Sequence, residues 1–80
     1  MSNDIVISLS KAETGQTVRL VKVQAGHGLK HRLAAMGLLA NTKIKILRNE
    51  GRGQLIVSVK GTKVVLGRGM SEKIMVESAG

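Results

Sequence analysis

No cysteine, no proline and no aromatic residue occurs anywhere in this chain. Each absence removes a class of chemistry. Without cysteine there is no disulfide, no thiolate zinc site and no iron–sulfur cluster. Without Phe, Trp or Tyr there is no platform for stacking unpaired bases and no aromatic groove for proline-rich peptides. No apolar run approaches the ~20 residues that span a bilayer, and the N-terminus lacks the pattern of a signal peptide. The expectation is a cytosolic protein without membrane insertion. Acidic residues are also scarce: five Asp and Glu stand against thirteen Lys and Arg, for a net charge of +8. Such a surface attracts nucleic acid, anionic lipid or an acidic protein face, and charge alone does not choose among them.

The sparse polar residues argue against an enzyme. Asp4, Glu13, Glu50, Glu72 and Glu77 are scattered without pairing, and Ser10, Ser58 and Ser71 sit in no nucleophile motif. Gly51 and Gly53 lie between two expected strands rather than before a helix, which makes a hairpin loop and not a nucleotide fingerprint.

What the chain does have is aliphatic alternation. Eighty residues, rich in Ile, Leu and Val, make one domain over residues 1–80 with a compact core. Asp4 to Leu9 reads as a short edge strand or arm. Ser10 to Gly15 reads as a helical turn with Ser10 as N-cap and Glu13 at the capping-box position. In Thr17 to Gln24, Val18 and Leu20 suit one face and Val21 and Val23 the other, which implies a bend or bulge. Thr42 to Arg48 sends Ile44 and Ile46 inward, and Gln54 to Lys60 sends Leu55, Val57 and Val59 inward. Gly61-Thr62 fits a two-residue hairpin loop, after which Val64 and Leu66 return to the core. Gly67 to Lys73 is a turn or one helical turn, Ile74 to Glu77 a last strand, and Ser78 to Gly80 a fraying end. Pairing Ile44 with Val59 puts Lys43 opposite Lys60, and the turn then puts Lys60 opposite Lys63. The outcome is a row of lysines on the outer face, either a solvated guard of the sheet edge or a docking face for something anionic.

One segment departs from this all-β pattern. Gly26 to Leu39, GHGLKHRLAAMGLL, predicts a short helix stopped at Gly37. Leu29, Leu33 and Met36 recur at i, i+4 and i+7 and predict the face that closes the core. His27, Lys30, His31 and Ala34 point elsewhere. His27 and His31, four apart, can share a metal, Fe(II) or Zn(II), but a full site needs ligands from other segments or a second chain.

Taken in order, LSKAETGQTVRLVKV, GHGLKHRLAAMGL, TKIKIL, LIVSVKGTKVVLGRG and KIMVE cover nearly the whole chain, and together they resemble the FeoA family of ferrous iron transport accessory proteins. The same module resembles the C-terminal domain of some iron-dependent repressors. The chain departs from the family in two places: Ala40-Asn41 stands where Pro-Gly is usual, and Leu39 stands where a basic residue is frequent. The resemblance implies a small SH3-like β-barrel with an inserted helix. It also implies a cytosolic accessory of ferrous iron uptake that binds FeoB, a membrane transporter with a G-protein domain, and so lies peripheral to the inner membrane. On that reading Gly26, Gly28, Lys30, His31 and Arg32 contact the transporter, and a weak homodimer remains open. The alternatives are a nucleic-acid-binding SH3-like domain, against which the missing aromatics argue, and a stand-alone metal-sensing domain.

Overall fold

The alternating segments form strands in a computed structural model that describes residues 5–79. In chain order these are β1 (Ile7–Ser8), a 3-10 turn (Leu9–Lys11), β2 (Thr17–Val23), helix α1 (His27–Ala35), β3 (Lys43–Arg48), β4 (Leu55–Val59), β5 (Thr62–Leu66), the one-turn helix α2 (Arg68–Ser71) and β6 (Ile74–Ser78). The strands make a single antiparallel sheet in the order β1-β6-β2-β3-β4-β5. The sheet bends around its own aliphatic face, as in a small SH3-like β-barrel, leaving β1 and β5 as its edges. Val18, Leu20, Ile44, Ile46, Leu55, Val57, Leu66, Ile74 and Val76 meet there, all almost fully buried. The start of the expected first strand, Asp4, lies outside the described residues.

Two bulges let the strands serve both sides of a bent sheet. In β2 the register slips between Leu20 and Lys22, so Val21 is the extra residue. Leu20 stays in the core, Val23 returns to pack against it, and Val21 with Lys22 turns outward. This is the bend that the split alternation of Thr17 to Gln24 predicts. The second bulge lies between Ile46 and Arg48 in β3.

Helix α1 contributes Leu33 to the core, with Leu29 packed beside it, but not Met36, which is 38% exposed. The reason lies in how the helix stops. Gly37 adopts a left-handed φ of 88°. Its N–H donates to the Ala34 carbonyl at 2.9 Å, and the Leu38 N–H donates to the Leu33 carbonyl at 2.9 Å. Those two bonds are the Schellman pattern, which brings the residue after the glycine back under the last turn. Leu38 is therefore the buried partner of Leu33, and Met36, as the cap, is left outside. Asn41 then takes the left-handed conformation, φ 71°, in the turn after the helix.

Three further local expectations are corrected. Ser8, not Ser10, caps the first turn: its Oγ accepts from the Ser10 N–H at 3.4 Å, and Glu13 takes no part in the capping. The β4–β5 hairpin pairs Val59 with Thr62, so its loop is Lys60-Gly61, one residue earlier than Gly61-Thr62. Both loop residues have positive φ, 52° and 82°, as a type I′ turn demands. Val64 accordingly faces Val57 rather than Val59, and Lys63 faces Ser58 rather than Lys60. Finally, the C-terminal residues do not all fray: Ser78 belongs to β6, and the Ala79 N–H donates to the Thr17 carbonyl at 3.1 Å.

Loops at one end are tied by a polar cluster centred on Asn49. Its Nδ2 donates to the carbonyls of Ser10 (2.9 Å) and Ala12 (2.6 Å), and its Oδ1 accepts from the Gly51 N–H (3.0 Å) and from Arg68 Nη2 (2.7 Å). Arg68 also donates to the carbonyls of Gly53 (3.0 Å) and Ser10 (3.1 Å).

Candidate partner-binding groove

The β2 bulge and helix α1 together shape an open groove. By turning Val21 and Lys22 outward, the bulge builds one wall. The opposite wall is the helix face of His27, Lys30, His31 and Ala34, whose i, i+3, i+4, i+7 spacing stacks them on one side. The Leu38–Ala40 turn closes the end. The groove encloses about 780 Å³.

Its chemistry divides simply. The apolar lining comes from Leu20, Val21, Val23, Ala34, Leu38, Leu39 and Ala40, of which Leu39 is 51% exposed. The polar side chains are Lys22, His27, Lys30 and His31, and no carboxylate lines it. An aliphatic floor with only basic groups at its rim suits an apolar segment flanked by acidic residues.

Of the residues singled out from the sequence, Gly28, Lys30 and His31 line this groove, and so does His27. Gly26 is the N-cap of α1, with φ −73° and ψ 175°, and lies outside the lining, as does exposed Arg32. The sequence reading missed Lys22, Val21 and the Leu39–Ala40 turn as part of the same surface. The split alternation of β2 and the apolar Leu39 after the helix stop were the available signals. Among the described residues no cluster of three His, Cys, Asp or Glu side chains forms around the His27–His31 pair. Two imidazoles on a solvent-facing helix do not make up the three or four ligands of a resident zinc or iron site.

The model of the FeoA domain matches residues 7–78. The chain belongs to the FeoA domain family. It is 42% identical over 71 residues to a Methanocaldococcus jannaschii protein named as an Fe(2+) transport protein A, covering 89% of this chain and 85% of that one. A crystal structure of the iron uptake regulatory protein FeoA superposes with a TM-score of 0.88 at 29% identity, over 94% of this chain and all 100% of the other. The solution structure of the FeoA protein from Chlorobium tepidum gives 0.83 at 25% identity, over 92% and 71% of the two chains. A manganese-dependent transcriptional repressor gives 0.84 at 20% identity, but the match spans only 45% of the repressor and shows a shared fold alone. The FeoA domain described here is thus a ferrous iron transport family member with a small SH3-like β fold. Among its described residues no helix is long and apolar enough to cross a membrane.

Proposed function

We propose that this FeoA-domain chain supports ferrous iron uptake as a cytosolic, non-enzymatic accessory that docks on a FeoB-like membrane transporter carrying a G-protein domain. The observation that carries the reading is the α1–β2 groove, aliphatic inside and basic at its rim, in a chain of the ferrous iron transport family. Iron is the cargo of the transporter, and this chain acts on it indirectly, through its partner. Two of the carboxylates, Glu50 and Glu77, are engaged by Arg48 and Arg19, in keeping with a binding role rather than a catalytic one.

Co-purification with the detergent-solubilised transporter tests this. Charge reversal at Lys22 and Lys30 together should weaken retention and its on-rate, since rim charges act mainly on encounter. Arg32→Glu, outside the groove lining, should do less. The exposed positions leave the core untouched, and a melting curve checks that. Retention that is unchanged in the Lys22→Glu, Lys30→Glu variant would remove the groove from consideration.

A further inference from the structure

A second surface, sharing no residue with the groove, lies on the outer face of β3, β4 and β5. The observed register arranges it in rows. Lys45 on β3 faces Ser58 on β4, which faces Lys63 on β5. One residue beyond Ile44 and Val59 lie Lys43 and the turn residue Lys60. On the other side of the Lys45–Ser58–Lys63 row, Ile56 faces Val65 across β4 and β5 and Arg48 across β3 and β4, and Leu47 is the extra residue of the β3 bulge beside Arg48. Val65 is 50% and Leu47 38% exposed, and Ile56 is half-buried.

This is an aliphatic row running beside cationic ones. Among the described residues two ion pairs form, Arg19–Glu77 and Arg48–Glu50, and neither uses a lysine. Because Ser58 stands between them, Lys45 and Lys63 sit two strand spacings apart, roughly 10 Å. That is slightly more than one screening length at physiological salt, roughly 8 Å, so the two exposed ammonium groups barely repel each other and each is free to meet an opposing negative charge. A solvated face needs no aliphatic row, and a nucleic-acid backbone has no use for one. A bilayer surface uses both: headgroup phosphates meet the lysines while short aliphatic side chains enter the boundary beneath them.

We infer that the outer face of β3–β5 is a docking surface for an anionic phospholipid bilayer, by which the chain rests on the membrane independently of any protein partner. The occupant is the lipid surface itself, chosen by its negative headgroups and its apolar boundary layer.

Co-sedimentation of the full chain with vesicles tests this. Vesicles of phosphatidylcholine containing about a third phosphatidylglycerol should carry the protein down at low salt, and pure phosphatidylcholine vesicles should not. At roughly fivefold per lysine, the Lys45→Gln, Lys63→Gln double variant should partition about 25-fold less well. Leu47→Ser with Val65→Ser should also weaken partitioning while leaving retention on duplex DNA unchanged, which separates the bilayer from a phosphate backbone. Far-UV circular dichroism confirms that these exposed changes leave the fold in place. No sedimentation with anionic vesicles at low salt overturns the proposal. So does vesicle binding indifferent to Leu47 and Val65 with tighter binding to duplex DNA, which assigns the face to nucleic acid. Vesicle binding lost with Lys22 and Lys30 instead would move it to the groove and overturn it equally.

Discussion

Asn49→Ala should be among the most damaging changes that leave the aliphatic core intact. The Asn49 side chain makes four hydrogen bonds that join the loop after β3 to the 3-10 turn segment and to α2. At about 1 kcal/mol net per bond the sum is about 4 kcal/mol. Two corrections reduce it. The Ser10 carbonyl keeps its bond from Arg68 Nη1, and the Gly51 N–H lies in an exposed loop where water replaces the lost acceptor. The Ala12 carbonyl, on an almost fully buried residue, loses its Asn49 donor without such relief. The expected loss is about 2–3 kcal/mol. For a domain of this size that is roughly 10–20 °C in Tm. Thermal and urea unfolding of the Asn49→Ala chain measure it. Arg68→Ala should cost a similar amount, since three bonds go, one of them shared with Asn49. The double variant should then lose about 1 kcal/mol less than the two singles added, because the shared bond is removed only once. A loss below about 0.5 kcal/mol for Asn49→Ala, or strict additivity with Arg68→Ala, would refute the view that this cluster holds the loops together.

Two further outcomes follow from local geometry. Lys60 holds φ 52° without a glycine's freedom, so Lys60→Asn should raise stability by up to about 1 kcal/mol, and Gly61→Ala should lower it by about 1–2 kcal/mol; urea midpoints check both. The His27–His31 pair lacks a third ligand among the described residues, so anaerobic titration calorimetry should find no submicromolar Fe(II) binding to the isolated chain. One-to-one binding of that strength, lost in a His27→Ala, His31→Ala variant, would contradict this.

The strands and their faces were legible from the residues because a period of two is a local property. Ile44, Ile46, Leu55, Val57 and Val59 point inward whatever lies across from them, and even the β2 bulge announces itself where Val18-Leu20 gives way to Val21-Val23. The helix and its stop at Gly37 were legible for the same reason, since a glycine after an apolar i, i+4 pair is a local signal. Its burial was not. Met36 and Leu38 are equally apolar, and only the hydrogen bonds to Leu33 and Ala34 decide which of them swings under the helix.

Pairing belongs to the tertiary structure. Gly61-Thr62 and Lys60-Gly61 are both acceptable two-residue loops by composition and leave the same residues facing inward, but only the second sets Leu66 opposite Leu55 and Val64 opposite Val57. That one-residue choice moved Lys63 from Lys60 to Ser58 and turned a predicted line of opposed lysines into a spaced array. The groove too exists only in three dimensions, because the β2 bulge and the helix stop, each legible in its own segment, bring Lys22, His31 and Leu39 to one surface only when the segments pack. Residue type and period thus set the elements and their inward faces, which depend on neighbours two to four residues away. The two surfaces proposed for docking, the α1–β2 groove and the outer face of β3–β5, were decided by register and by chain reversal, which depend on contacts between distant segments.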